Sequence, residues 1–248
     1  MQTFAAIIIG DEILSGKRQD KHLAKVIQIL AERGLRLSGC EYVGDDTAQI
    51  TRTLQRSFAS DNIVFSFGGI GATPDDLTRQ AAAASLGVPL VRNAESVAEI
   101  VAQYGEAAYP KRVLMADLPE GSAIIPNPVN RVPGFYLREH YFLPGFPEMA
   151  WPMMEWVLDT HYAALFHQQA EASAQIIVIG AAESDLLDLM NAIVRDFPQV
   201  KLFSLPSLKS DGRDKQIELG VKGEAEQVAS AMARIRQGVG AIGFMWRE

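Results

Sequence analysis

The stretch GGIGATPDDLT, residues 68–78, follows the apolar run NIVFSF and precedes the Ala-rich RQAAAASLG. Glycines directly after a strand let a ligand approach the backbone, and phosphate is the usual guest at such turns. Here Asp75 and Asp76 follow, and two carboxylates would repel a phosphate. A divalent cation between them reverses that sign, since Mg²⁺ is commonly held by one or two carboxylates together with substrate phosphates. Two other apolar runs end the same way: residues 4–9 lead into Gly10-Asp11-Glu12, and CEYV leads into Gly44-Asp45-Asp46. Three strand ends that each carry glycine and acid point to a metal-assisted phosphate site, with Asp45, Asp75 and Asp76 as its metal ligands. Ordinary turn chemistry remains the alternative. Thr73, Pro74 and Asp76 fit the N-cap, N1 and N3 positions of a helix over 74–86, and acids favour a helix N-terminus.

Other chemistries lack their residues. The glycine loop has no Gly-Lys-Ser/Thr ending, and its spacing is not Gly-x-Gly-x-x-Gly. No His-Glu-x-x-His or Gly-x-Ser-x-Gly occurs, and Cys40 is the only cysteine. Cys40 reads as a buried strand thiol, and His22 as a surface residue at a helix start. A net charge of −7 without a dense basic run argues against nucleic acid and acidic membranes as partners. No apolar run reaches the roughly 18 residues of a membrane span. No signal-peptide pattern opens the chain, so the cytoplasm is the expected location.

The elements that must position these residues alternate. Residues 4–9, 35–43 and 62–67 read as strands. Helices are marked by Leu23, Val26, Ile27 and Leu30, by Ile50, Leu54 and Phe58, and by Val97, Ile100, Val101 and Tyr104. PLV (89–91) reads as a further strand. The alternation predicts βαβ units and a mostly parallel sheet covered on both faces, with ligands at the carboxyl ends of its strands. Residues 106–150 are Pro-rich, with short strands at SAII, FYL and YFL, and WPMMEWVL closes the domain as a helix. A polar stretch at 166–175 separates this part, residues 1–168, from a second βαββαβ pattern over 173–248, with a loop at 206–214. That order is ferredoxin-like. The expected class is therefore α/β, a three-layer, mostly parallel sheet, with a small C-terminal ferredoxin-like α+β domain.

GDEILSGKRQD, VGDD, GGIGATPDDLT and LPGFPEM, in that order, resemble motifs of the MoaB/Mog molybdopterin-binding superfamily, and most closely its CinA-like branch. GAAESDLL at 180–187 resembles the small domain that follows in CinA-like proteins. Such proteins often continue into a deamidase domain, and this sequence ends before one. The resemblance implies a MoaB/Mog-like fold and a pterin phosphate or nucleotide as ligand. It places ligand binding on Gly10, Asp11, Glu12 and Asp20, on Gly68, Gly69, Gly71 and Thr73, and on Pro144, Gly145 and Pro147. Asp45 and Asp76 are expected to be catalytic, and a divalent ion such as Mg²⁺ is the expected cofactor, with molybdopterin as a possible ligand. The implied activity is pyrophosphate hydrolysis of an ADP-ribose-like nucleotide. Adenylylation of molybdopterin and a non-catalytic binding module are the alternatives. The expected partners are a small phosphate ligand and further copies of the chain. One departure concerns specificity, because the branch commonly has Asp-Thr-Asn where this sequence has Asp20-Lys21-His22.

Overall fold

The first seven residues with regular structure, Thr3–Ile9 (β1), carry apolar side chains on both sides of the strand, and both sides are covered. Phe4, Ala6 and Ile8 pack on one face of a sheet, and Ile7 and Ile9 on the other. The computed structural model describes residues 3–168, 171–208 and 215–248. It divides into two compact units, Met1–Gln168 and Gln169–Glu248.

In the first unit β1 is followed by α1 (Asp11–Leu14), α2 (His22–Ala31), β2 (Leu37–Val43), α3 (Thr47–Phe58), β3 (Asn62–Phe67) and α4 (Thr78–Leu86). Then come β4 (Leu90–Arg92), α5 (Ala94–Tyr104), two 3-10 turns (Gly105–Ala108 and Arg112–Ala116), β5 (Asp117–Pro119), β6 (Ala123–Ile125), β7 (Gly134–Leu137), β8 (His140–Leu143) and α6 (Pro147–His161). The main sheet runs β2-β1-β3-β8-β7-β6. Its first four strands are parallel, and β7 and β6 are antiparallel. Val26, Ile29 and Leu30 of α2 and Met153, Met154, Val157 and Leu158 of α6 cover one face. Ile50 and Leu54 of α3 and Ala81 and Ala82 of α4 cover the other. Three layers with a mostly parallel centre result, as expected.

PLV departs from expectation. It enters no parallel sheet; β4 pairs antiparallel with β5 as a separate ribbon, and Arg92 ion-pairs Asp117 across it. The place beside β3 that a fourth βαβ strand would fill is taken by β8, which arrives only after the Pro-rich stretch.

The second unit comprises β9 (Glu171–Ile179), α7 (Glu183–Asp196), β10 (Lys201–Leu208), β11 (Lys215–Glu224), α8 (Ala225–Ala241) and β12 (Met245–Arg247). Its antiparallel sheet runs β10-β11-β9-β12, the ferredoxin-like order. Ile176, Val178, Leu219 and Val221 pack there against Leu186 and Ile193 of α7 and Val228, Met232 and Ile235 of α8. The loop expected at 206–214 is partly strand, since β10 continues through Leu208. Residues 209–214 lie outside the described residues. Among the described residues no helix is long and apolar enough to cross a membrane.

Each unit thus has its own core. A fragment of residues 1–168 is expected to unfold cooperatively on heating, with near-UV dichroism showing fixed aromatic packing. A fragment that aggregates as a molten chain would make the two units one folding entity.

Candidate functional site

Parallel pairing of β2, β1, β3 and β8 sets their carboxyl ends side by side, and the acidic turns meet there. Gly10 N donates to Val43 O at 3.0 Å. Asp11 N donates to Asp45 Oδ2 at 2.9 Å, and Asp45 N returns a bond to Asp11 Oδ1 at 3.1 Å. This reciprocal clasp ties the turn after β1 to the turn after β2. Asp46 has a local task, accepting from Gln49 N as the N-cap of α3. The Asp45 carboxyl is held above the ordinary carboxylate range by burial. The charges of Asp11, Glu12 and Asp75 push the same way, against the bond from the Asp11 amide.

The glycine loop is anchored through its carbonyls. Gly68 and Gly69 take left-handed φ values of 103° and 68°, which glycine adopts without strain. Gly68 O accepts from Thr78 Oγ1 at 2.9 Å, and Gly69 O from Thr78 N at 3.0 Å. Gly71 O accepts from Arg79 Nη2 at 2.6 Å. In a trans peptide the next N–H points opposite to the carbonyl. The amides of Gly69, Ile70 and Ala72 are therefore turned away from α4. Among the described residues, none of the four amides from Gly69 to Ala72 has a protein partner.

Arg79 is 5% exposed, and its guanidinium also donates to Leu114 O at 2.6 Å and Asp117 O at 2.9 Å. It joins the loop to the segment that carries Met115. Burial lowers its pKa, opposed by the charges of Asp117 and Asp76.

Thr73 does not cap α4. The helix begins at Thr78, after Leu77, and has no side-chain cap. Thr73 N instead donates to Asp76 Oδ2 at 2.9 Å, the Thr73 hydroxyl bonds the same oxygen, and Asp76 N donates to Thr73 O at 3.0 Å. The expected reciprocal bonds close a separate turn. The first turn of α4 is displaced because the Thr78 amide and hydroxyl hold the glycine loop.

A cavity of about 470 Å³ opens at this edge. Gly68, Gly69, Gly71, Thr73, Asp75 and Asp76 form one side of it. Gly10, Glu12, Asp45, Pro144 and Gly145 complete the expected lining. Three expected ligand residues lie elsewhere. Asp11 is engaged in the clasp. Asp20 accepts from His22 N, Leu23 N and the Tyr42 hydroxyl at the start of α2. Pro147 opens α6, where a missing N–H costs nothing. Asp45, Asp75 and Asp76 share the cavity lining, and among the described residues no group of three or more His, Cys, Asp or Glu side chains is arranged to hold a metal. His22 is buried, not on the surface. It stacks on Phe67 with ring centroids 4.6 Å apart, and its Nε2 lies 3.1 Å from Gly145 O. Burial lowers its pKa; because a carbonyl only accepts, Nε2–H donates to Gly145 O and braces the Pro144-Gly145 turn.

Sequence reasoning missed the opposite wall. Tyr104, Met115, Val132, Phe146 and Met149 form an apolar side, with Asn127 and Asn130 beside them and Arg18 at the acidic end. Arg112 stands 4.6 Å over the Tyr104 ring. Tyr104 ends α5, Met115 lies in a 3-10 turn and Asn127, Asn130 and Val132 lie in the loop after β6, without a local motif; Phe146 and Met149 belong to LPGFPEM and Arg18 to GDEILSGKRQD, where no role was expected of them.

Known proteins resemble this chain. A family model described as a probable molybdopterin binding domain matches residues 5–167. A CinA-like protein of Syntrophotalea carbinolica is 34% identical over 162 residues, covering 62% of this chain and 39% of the relative. A CinA-like protein of Geobacter metallireducens is 31% identical over 202 residues, covering 78% and 49%. The chain thus spans half or less of the length of these two relatives. A protein of Pyrobaculum calidifontis matches over 92% of this chain and 90% of its own, at 28% identity. Among solved structures, CinA of Thermoplasma acidophilum superposes with a TM-score of 0.58 and 28% identity, over 63% of this chain and 96% of that one. With its glycine loop, acidic turns and sheet order, this chain belongs to the MoaB/Mog molybdopterin-binding superfamily, in its CinA-like branch.

Proposed function

We propose that the cavity binds a phosphate-bearing nucleotide or pterin, and that the chain hydrolyses a diphosphate of ADP-ribose type with a divalent ion. The observation that carries this reading is the run of unpartnered amides from Gly69 to Ala72 on the cavity lining. Consecutive free N–H groups form an anion-binding concavity, and among the described residues no side chain uses them.

The carboxylates fit a hard cation only in part. Asp45, Asp75, Asp76 and Glu12 share the cavity, yet the described residues offer no complete protein cage. That suits an ion completed by ligand phosphates, with one or two of Asp45, Asp75 and Asp76 as protein ligands. Such an ion would neutralise phosphate charge and lower the pKa of a bound water. The chain's own residues do the rest. The loop amides hold phosphate oxygens. Asp45, with its raised pKa, is suited to take a proton from attacking water. Thr73 fixes the Asp76 carboxylate towards the loop. The wall of Tyr104, Met115, Phe146 and Met149 offers flat apolar contact to a heterocycle.

ADP-ribose with Mg²⁺ at 100 times its dissociation constant is expected to stabilise the protein by about 2.7 kcal/mol. That corresponds to a melting shift of roughly 5 to 11 °C for a domain of this size. The same ligand with EDTA is expected to shift it little. Equal shifts with and without metal would mean that the amides bind phosphate unaided and that the acids only shape turns. The family description, a probable molybdopterin binding domain, supports molybdopterin as an alternative ligand, and its adenylylation is the second reading. Product analysis with ATP plus molybdopterin, against ADP-ribose alone, separates the two. Binding without turnover in either mixture would indicate a non-catalytic module.

A further inference from the structure

The helices of the second unit cover one face of its sheet. Val178, Leu219 and Val221 point towards α7 and α8, so their neighbours along each strand point to the opposite face. There the pairing register sets Glu218, Ile177 and Arg247 side by side across β11, β9 and β12. Ile179 and Met245 stand in the next row, and Leu205 of β10 lies beside Glu218. Phe203 lies opposite Gly220, and its ring fills the space that a Cβ at Gly220 would need. Met245 is 72% exposed and Leu205 56%, while Ile177, Ile179 and Phe203 are half-buried. None of these five belongs to the core beneath the helices. Among the described residues the side chains of Glu218 and Arg247 have no ion pair or hydrogen bond.

This face matches itself. A two-fold axis running along β9 sets β11 of one copy over β12 of the other. Ile177 and Ile179 then meet their own counterparts, and Glu218 meets Arg247 on both sides of them. An axis across the strands would instead set Glu218 against Glu218. Stacked sheets keep their strands within about 30° of each other, which leaves both charge pairs within side-chain reach. Glu218 at the middle of the face disfavours a nucleic-acid backbone. We propose that two copies of this chain stack through the open sheet face of the second unit, with Ile177 and Ile179 at the centre and two reciprocal Glu218–Arg247 ion pairs fixing the register. The face is four strands wide, about 20 Å at ordinary strand spacing, so the association is expected to be weak, with a dissociation constant on the order of 10 µM. It is independent of the ligand reading of the first unit.

Cross-linking of the full chain tests it. In a Cys40→Ser/Ile177→Cys protein the only thiol lies on the proposed axis, whatever contacts the first unit makes. Stacked sheets lie about 10 Å apart, a span suited to a short bis-maleimide. That protein is expected to give a cross-linked dimer at concentrations near the dissociation constant. Adding Glu218→Arg or Arg247→Glu puts like charges face to face twice, and each is expected to lower the dimer yield about tenfold or more. An equimolar mixture of the two variants restores both pairs, and the yield is expected to return, which a merely damaged fold would not do. A yield without either charge change no higher than with one overturns the proposal, as does a mixture that stays low. If single-stranded RNA, rather than a second copy, shields the introduced thiol, the face binds nucleic acid and the proposal falls.

Discussion

An Asp76→Asn protein is expected to lose roughly 10²-fold or more of its ADP-ribose turnover, the scale of removing a positioned proton-transfer or charge-bearing group. Its fold should survive. The amide oxygen of asparagine can still accept from Thr73 N, now 2.9 Å from Asp76 Oδ2, so loss of the turn should cost less than about 1 kcal/mol. Steady-state kinetics beside a melting curve separates the two effects. Unchanged turnover would show that Asp76 serves only to close its turn. Activity should also fall with acid at a pH above the ordinary carboxylate range, where Asp45 takes up its proton.

Arg79→Met is expected to be costly for a different reason. Methionine matches the length of the side chain but donates nothing. The carbonyls of Gly71, Leu114 and Asp117 would each lose a part-buried bond. An unsatisfied buried acceptor costs about 1–3 kcal/mol. Removing a buried charge whose pKa is already depressed offsets part of that. A net loss of about 3 kcal/mol is expected in urea unfolding, together with weaker nucleotide binding. Arg79→Lys should recover some stability, but not the fork that reaches three carbonyls. A loss below about 1 kcal/mol would mean that the loop holds its shape without this residue.

Much of the frame was legible because its signals are local. NIVFSF is continuous and apolar, and it forms β3 at the expected bounds. Ile50, Leu54 and Phe58 recur at helical spacing, and all three lie in α3. Errors arose where distant contacts decide. Thr73 and Asp76 carry the pattern of a helix start, but Thr78 and Arg79 are recruited by the glycine loop and move that start by several residues. His22 looks like a polar helix start, yet Phe67 and Gly145, both far along the chain, enclose it. The same limit applies to the cavity. Its acidic and glycine side lies at strand ends that can be read from alternation, whereas Met115 and Val132 reach it through a Pro-rich segment without periodicity.

The anchoring carbonyls of the loop have a consequence for how such a site diverges. Its unpartnered groups are main-chain amides, oriented by Thr78 and Arg79 from outside the cavity. Alanine scanning removes side chains and is blind to those amides. Drift in Tyr104, Met115 or Phe146 could exchange one heterocycle for another while the phosphate grip persists. The glycines are the exception. A Cβ added at Gly68 would strike Ile9 O, and one at Gly69 would strike the Thr78 hydroxyl. Relatives that keep these glycines but vary the walls would share an anchor without sharing a ligand.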